Sequence, residues 1–209
     1  MYVPKPYQMN DMEITLDFIR RNSFGLLITH SARSAATPLP FLVKQEGDSI
    51  RLYGHLARAN PQSQELDGEA LVVFSGPHAY ISPTWYGDAI PEVPTWNYQS
   101  AHVYGRCSIL ADPEEVLKLL EDTIDYYESS QQKPWSLTNV DPAYVQRLAK
   151  HIVGFSIEAT QIEGAWKLHQ DYPLEARRGA IAALGQRSDD NSRLIAKLMQ
   201  ERLDETNDG

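Results

Sequence analysis

The sequence predicts a mainly β fold of the α+β class, an antiparallel β-barrel or sandwich with flanking helices. Six extended runs follow one another at short spacing over residues 24–110, and a later alternating run covers residues 152–162. Such spacing is typical of antiparallel barrels and sandwiches. Two helical patterns follow the last strand. We therefore expect a β domain over residues 1–170 and a C-terminal helical extension over residues 171–209, packed on the barrel or on a partner subunit.

The N-terminal part opens with a helix and continues with strands. Asn10 and Glu13 have the spacing of a capping box, which predicts a helix over about residues 11–22. Glu46-Gly47-Asp48 indicates a hairpin turn between the second and third strands. The predicted strands cover residues 24–29, 37–44, 49–54, 70–75, 79–82 and 99–110.

The sixth strand has two different faces. Ala101, Val103, Gly105, Cys107 and Ile109 alternate with polar residues. Because successive side chains of a strand point to opposite faces, these five residues are predicted to face the core. The polar face is then exposed to water or to a ligand.

Helices and one strand make up the rest of the chain. Asp112 and Asp141 are each followed by proline, the pattern of an N-cap with proline in the first helical position. They predict a long helix to about residue 128 and a shorter helix before the late strand. A helix over residues 174–184 is expected to end at Gly185, and residues 188–190 are expected to cap the last one.

The charge balance argues against direct DNA binding. Asp and Glu number 28 against 19 Lys and Arg, a formal net charge of -9, which repels nucleic acid. The two C-terminal helices could resemble a helix-turn-helix, but acidic residues offset the basic ones there. We interpret them as an amphipathic tail. Its basic residues are Arg177, Arg178, Arg187, Arg193, Lys197 and Arg202.

Several other classes of protein are disfavoured. Cys107 is the single cysteine, and the stretch 1–10 is short, polar and rich in proline, unlike an export signal. No run approaches the roughly 18 apolar residues of a membrane span. We therefore expect a cytoplasmic protein that does not enter the membrane. The sequence has no P-loop, no Gly-x-Ser-x-Gly and no His-Glu-x-x-His, and we expect no metal site.

Aromatic residues are concentrated between residues 74 and 105. This stretch holds Trp85, Trp96, Tyr80, His78 and His102 among prolines that stiffen its turns. Aromatic faces with polar tips suit a flat ligand that stacks on the rings and hydrogen-bonds at its edges. Large aromatic residues also close small barrels without binding a ligand, so the stretch alone leaves both interpretations open.

The segment after the third strand is a candidate anion site. His55 and Arg58 precede Asn60-Pro61, which has the pattern of an N-cap and a first helical residue. A helix start and a guanidinium together can hold a phosphate. The alternative is an ordinary helix start with Arg58 in solvent.

Long motifs resemble the PaiB family, which is described as FMN-binding and as a negative transcriptional regulator. The resemblance implies an FMN-binding split barrel, related to pyridoxamine-phosphate oxidases and flavin reductases, that forms a homodimer with the flavin near the subunit interface. The motifs that carry it are residues 1–4, 37–41, 54–62, 73–86 and 93–98, with 102–105, 167–168 and 177–184.

The resemblance also implies a set of FMN contacts. His55, Arg58 and Asn60 are expected at the phosphate end. Lys167 lies in the family's Lys-Leu-Ser-Gln-Asn type stretch, where this chain has His169 and Asp171 in place of serine and asparagine. Residues expected on the ring or ribityl side are Ser82, Trp85, Thr95, Trp96, Asn97 and His102.

Three functions remain open from the sequence. The resemblance implies a regulator that acts through its flavin state or a protein partner. A flavin-dependent oxidoreductase is the alternative, with no catalytic residue assigned. A haem-binding split barrel is a third, with an axial ligand among His55, His78, His102, His151 and His169.

Overall fold

A computed structural model describes residues 1–31, 33–87 and 92–207 of the chain, apart from the side chains of residues 206 and 207. These residues form eight strands and five α-helices, which confirms the mainly β, α+β fold. The helices are α1 (Met12–Arg21), α2 (Pro113–Glu128), α3 (Pro142–Ala149), α4 (Leu174–Gly185) and α5 (Asp190–Asn207). The strands are β1 (Gln8–Met9), β2 (Phe24–His30), β3 (Ser34–Pro40), β4 (Leu42–Glu46), β5 (Ser49–Ala57), β6 (Gly68–Ile81), β7 (Thr95–Ile109) and β8 (Ile152–Lys167).

Within the described residues, the strands form one sheet of eight. Its order is β3-β2-β6-β7-β8-β5-β4, and β1 pairs with β8. The pairs β2–β3, β2–β6, β4–β5, β5–β8 and β1–β8 are antiparallel. The hairpin predicted at residues 46–48 is confirmed, because Glu46 lies opposite Ser49 in the β4–β5 pair.

Two strand predictions were wrong. The run 37–44 is divided between β3 and β4, which pair with different strands. Phe41 stands between them, 1% exposed, and its N–H donates to the Ser23 carbonyl (2.8 Å). Burial of this ring takes the backbone out of the ladder. Conversely, runs 70–75 and 79–82 are one continuous strand, β6, which passes through Gly76-Pro77 without a break.

The predicted helices are confirmed, with one change of cap. The Asp112 and Asp141 carboxylates accept from Glu114 N–H (2.9 Å) and Ala143 N–H (3.0 Å). Helix α1 is capped by Asp11 instead of Asn10, since the Asp11 carboxylate accepts from Ile14 N–H (3.1 Å). A side-chain oxygen therefore caps the helix as predicted, but one residue later than the capping-box spacing indicates.

The chain divides into two compact units. One, here the terminal unit, comprises residues 1–15, 75–101 and 163–209, and the other, the central unit, comprises residues 16–74 and 102–162. The central unit has a core of edge-to-face rings, in which Phe41 lies 5.6 Å from Phe74 and 6.2 Å from Phe155. A domain boundary at residue 170 stays a prediction.

The terminal unit is built around α4 and α5. The two helices bury apolar faces that include Ala180, Leu184 and Met199, whereas Leu174 and Leu194 are exposed. Gly179 of α4 lies against the short 3-10 helix Pro83–Trp85, because a Cβ built on Gly179 would stand 2.0 Å from the Trp85 carbonyl oxygen. Only glycine permits so close a helix contact.

The predicted core face of β7 is confirmed except at its end. Ala101, Val103 and Cys107 are at most 1% exposed, whereas Ile109 is 46% exposed. Burial raises the pKa of the Cys107 thiol to about 12, as expected for an inert strand residue. No helix in the described ranges combines the length and apolarity needed to cross a membrane.

Candidate functional site

Asn60 organises the turn that follows β5 in the central unit. Its Oδ1 accepts from Gln62 N–H (3.0 Å), and its Nδ2 donates to the Thr37 hydroxyl (3.1 Å). The predicted N-cap is therefore confirmed, but the helix that it opens is a five-residue 3-10 helix, Pro61–Glu65. So short a helix contributes little of the dipole that the anion-site prediction invoked.

Arg58 ties this turn to the connection between α3 and β8. Its Nε donates to the Lys150 carbonyl (2.9 Å) and its Nη2 to the Ile152 carbonyl (2.8 Å). Its backbone N–H donates to the His151 carbonyl (2.7 Å). One edge of the guanidinium fork is thus engaged by the protein backbone, which the sequence gave no reason to expect.

His55 is half-buried on β5, opposite Gly154 of β8. Burial lowers the pKa of its imidazole below 6.5. The side chain is therefore neutral at pH 7, and toward a phosphate it offers one N–H donor without a charge.

Arg58 also lines a cavity of about 670 Å³ in the central unit. This volume lies within the range of small-molecule sites, roughly 300–1,000 Å³. Its wall is mostly apolar and includes Ile109, which explains why that residue is exposed. The charged groups on the wall are Arg58, Lys150 and Glu114, so the local charge is positive by one.

The aromatic stretch of the terminal unit presents an exposed ring. Trp96 is 53% exposed, and its ring lies edge-on to Tyr80 (6.0 Å between centroids) and tilted to His78 (6.1 Å). Tyr80 is also exposed, at 42%. Such a cluster leaves an aromatic face open to stacking, as the sequence predicts for a flat ligand.

Ser82 and Trp85 belong to the 3-10 turn beside this cluster in the chain. The Ser82 hydroxyl accepts from Thr84 N–H (3.3 Å) and is paired with the Thr84 hydroxyl (2.8 Å). Trp85 is half-buried, with its carbonyl against Gly179. Both residues thus shape the turn.

Lys167 and Thr95 come together although 72 residues separate them. Lys167 Nζ donates to the Thr95 hydroxyl (2.6 Å) and lies 5.7 Å from the centre of the Tyr7 ring. The Tyr7 hydroxyl in turn donates to Asp171 (2.8 Å), one of the two positions where this chain departs from the family's stretch. Sequence reasoning selected Lys167 and Thr95 but not their contact.

A buried hydrogen-bonded chain surrounds His169, which is 0% exposed. His169 Nδ1 lies 2.7 Å from Asn97 Oδ1, and Nε2 lies 2.7 Å from the Tyr86 hydroxyl. Because Asn97 Nδ2 donates to Met199 Sδ (3.2 Å), its Oδ1 must be the acceptor of the Nδ1 proton. Nε2 then accepts from Tyr86. Asn97, predicted on the ligand side, has both ends of its amide engaged in this core.

The backbone of His169 is itself unusual. Its φ is 60°, the only positive value among the non-glycine residues that the structure describes. Burial, with a further contribution from Lys167, lowers the pKa of the imidazole to about 4, so it is neutral. The replacement of the family's serine by His169 was the one signal in the sequence for this cluster.

The ten predicted site residues are distributed over both units. The central unit holds His55, Arg58, Asn60 and also His102, which is half-buried on β7 with its ring 6.2 Å from that of Tyr104. The terminal unit holds Ser82, Trp85, Thr95, Trp96, Asn97 and Lys167. Among the residues described, no three His, Cys, Asp or Glu side chains are grouped so that they could hold a metal ion.

Comparison with known proteins identifies the family. The family model described as "Putative FMN-binding domain" matches residues 1–161. The chain is also 34% identical, over 97% of its length and 98% of the other, to the "Protease synthase and sporulation protein PAI 2" of Bacillus subtilis (strain 168). The chain belongs to the PaiB family. PaiB-type relatives thus share both the matched domain and the C-terminal part.

Solved structures share the fold of this PaiB family member. The flavocytochrome Anf3 from Azotobacter vinelandii aligns with a TM-score of 0.61 and 14% identity, over 79% of this chain and 72% of that chain. The FAD and heme binding protein from Mycobacterium smegmatis aligns with a TM-score of 0.54 and 16% identity, over 85% and 80%. At these identities the likeness shows the split-barrel fold alone.

Proposed function

We propose that this PaiB-type chain binds FMN and acts as a negative transcriptional regulator through its flavin state or through a protein partner. The observation that carries the proposal is the match of residues 1–161 to the FMN-binding family. Nine of the ten candidate contacts fall inside those residues, and Lys167 is the one outside. FMN, when bound, supplies reversible hydride and electron transfer at N5 of its ring.

Each unit, taken by itself, holds groups that suit a part of FMN. In the central unit, Arg58 and Lys150 border a cavity of about 670 Å³ and would attract a phosphate. In the terminal unit, the exposed Trp96 face suits an isoalloxazine ring, and the Thr95 hydroxyl and Lys167 ammonium suit its polar edge. The chain's own contribution is to bind and orient the flavin.

Direct contact with DNA is not part of the proposal. On α5 and the turn before it, Arg187, Arg193 and Lys197 each pair with a nearby carboxylate. Exposed pairs of this kind add little stability, but they neutralise the helix face that a helix-turn-helix would turn to phosphates. A regulator with this charge distribution acts through a protein partner, and we propose a cytoplasmic homodimer with flavin near the interface.

A flavin-dependent oxidoreductase is the second candidate. It fits the names of the flavocytochrome and of the FAD and heme binding protein, whose fold this chain shares. The two candidates differ in turnover. An oxidoreductase oxidises NADH or NADPH, or reduces an acceptor, faster than free FMN does under the same conditions, whereas the regulator shows no such acceleration.

The first experiment is an absorption spectrum of the purified protein, followed by an FMN titration with haem as competing ligand. We expect saturable uptake of one FMN per subunit. The absence of flavin uptake would refute the cofactor proposal, and a haem band in its place would favour the haem-binding alternative. Light scattering on the same sample tests the homodimer.

Arg58 needs a conservative variant in these titrations. Because its guanidinium also donates to the Lys150 and Ile152 carbonyls, Arg58→Ala removes structural contacts together with any phosphate contact. Arg58→Lys keeps the charge, and melting curves of both variants separate lost stability from lost affinity. We expect Arg58→Ala to weaken FMN binding by about 1.5–3 kcal/mol, the worth of a hydrogen bond to a charged group. Unchanged affinity in both variants would place the phosphate elsewhere.

A further inference from the structure

Arg177 carries a buried guanidinium with two donor nitrogens that lack a hydrogen-bond acceptor among the described residues. It lies at the start of α4 in the terminal unit and is 7% exposed. Its Nε and Nη2 are both buried, and neither has a hydrogen-bond acceptor among the described residues. Because an ionised group in a dry site is costly without a partner, two orphaned donors on one guanidinium indicate a missing acceptor.

The two orphaned atoms form one recognition edge. In arginine, the Nε–H and Nη2–H bonds are parallel and match the two oxygens of a carboxylate or phosphate. Arg58 uses this same edge on the Lys150 and Ile152 carbonyls. Of the two guanidiniums, Arg177 is therefore the one whose fork is available to an oxyanion.

The surroundings of Arg177 favour an anion. Arg202 of α5 acts on it as a like charge, and Lys167 and Arg177 both act as positive charges on His169. The cap of α4 is Pro173, which has no side-chain acceptor for the first-turn N–H groups, and Glu175 is the one acidic residue of that turn. Of the nearby carboxylates, Asp171 accepts from Tyr7, and Glu175 is exposed on the first turn.

We propose that the Arg177 fork, at the N-terminus of α4, binds a phosphate-class oxyanion. The anion is either the phosphate of FMN, in which case the inference rests on the proposed function and puts Arg177 in place of Arg58 as the phosphate ligand, or inorganic phosphate. In the conformation described, both nitrogens are covered, so entry of the anion requires a local displacement of the side chains around them. Binding then relieves the cost of an unpaired buried charge, and the anion stabilises the folded protein.

The first test measures melting temperature while inorganic phosphate replaces chloride at constant ionic strength. We expect phosphate to raise the melting temperature of the wild-type protein and of Arg178→Gln, a control that removes an exposed charge from the adjacent position. Arg177→Gln loses the shift. It still folds, because it removes an unpaired buried cation, and Arg177→Lys, which keeps the charge without the fork, retains only part of the shift.

The second test compares FMN with riboflavin, which lacks the phosphate. If the FMN phosphate is the source, Arg177→Gln lowers FMN affinity about tenfold or more, the effect of losing a charge-assisted hydrogen bond, and leaves riboflavin affinity unchanged. If inorganic phosphate is the source, the FMN-to-riboflavin affinity ratio is the same in both proteins, and only the thermal shift is lost.

The outcomes separate this inference from the proposed function. Dependence on Arg177 in either test supports the inference. Two results together overturn the inference. The first is a thermal response to phosphate that is absent from the wild-type protein or is the same in Arg177→Gln. The second is an FMN-to-riboflavin affinity ratio that Arg177→Gln leaves unchanged. A protein that binds neither flavin but shows a phosphate shift dependent on Arg177 refutes the proposed function and retains the anion site.

Discussion

Replacement of His169 tests whether a single side chain holds the core of the terminal unit. Its imidazole accepts from the Tyr86 hydroxyl and donates to Asn97, each at 2.7 Å, in a site with no exposure. His169→Ala leaves both partners buried without a bond, at about 1–3 kcal/mol each, and opens a void. We expect a loss of about 3–5 kcal/mol, a large share of the 5–15 kcal/mol that folded domains typically have.

The backbone conformation of His169 predicts which of two replacements, glycine or alanine, gives the more stable protein. At ordinary helix or strand angles, glycine is less stable than alanine by about 0.5–1 kcal/mol. At a φ of 60°, the Cβ of alanine is strained, and the order reverses. We therefore expect His169→Gly to be more stable than His169→Ala by about 1 kcal/mol.

Urea unfolding measures both the loss of stability in His169→Ala and the difference between His169→Gly and His169→Ala. The free energy of unfolding is extrapolated to water, and equal slopes show that the variants unfold from comparably compact states. Tyr86→Phe is the matched control, because it removes one of the two hydrogen bonds, costs about 1–2 kcal/mol and leaves the imidazole in place. A His169→Ala loss below about 1 kcal/mol, or alanine at least as stable as glycine, would refute the reasoning.

Three further predictions follow from the same unit. The folded-state pKa of His169 is about 4 against an ordinary 6.5, so between these pH values the unfolded chain binds a proton that the folded chain does not. The stabilisation is therefore complete above pH 6.5, and the free energy of unfolding falls by on the order of 3 kcal/mol toward pH 4. His169→Gln should lose this pH dependence, and an equal fall in that variant would assign the effect to other groups. Gly179→Ala places a Cβ 2.0 Å from the Trp85 carbonyl oxygen and should lower the melting temperature sharply. The control Gly185→Ala, in the same helix, meets no atom within 4 Å and should raise the free energy of unfolding by about 0.5–1 kcal/mol. Similar melting curves for the two variants would contradict the close contact at Gly179. Trp96→Ala should change the free energy of unfolding by less than about 1 kcal/mol, since the ring is 53% exposed, while reducing the quenching of bound-flavin fluorescence; unchanged quenching would remove Trp96 from the flavin site.

Local patterns predicted the helices and most strands. Asp112-Pro113 and Asp141-Pro142 encode their caps within a few residues, and the structure places the caps there. The break at Phe41 follows from burial of one ring, and the continuity of β6 goes with its place between β2 and β7 in the sheet, so both depended on distant parts of the chain. Strand boundaries that depend on such contacts cannot be seen in a single stretch of sequence.

For the candidate site too, the sequence predicted individual residues, and contacts between distant parts of the chain decided what they do. The sequence selected Thr95 and Lys167, but their contact spans 72 residues and exists only in the folded chain. It marked Arg58 as an anion ligand, and the fold engages that guanidinium with two carbonyls. The sequence marked His169 as a departure from a family motif and as one of five candidate haem ligands, whereas the fold makes it the centre of a buried network.

The sequence by itself determined the fold class, the caps of α2 and α3, the inert buried Cys107 and, through long motifs, the PaiB family. These properties follow from local periodicity, from capping chemistry and from residue runs that are read in order along the chain. Only the tertiary structure decided which polar groups are paired. Hydrogen bonding and desolvation depend on atoms far apart in sequence, so the engaged fork of Arg58 and the unpaired fork of Arg177 look alike until the chain is folded.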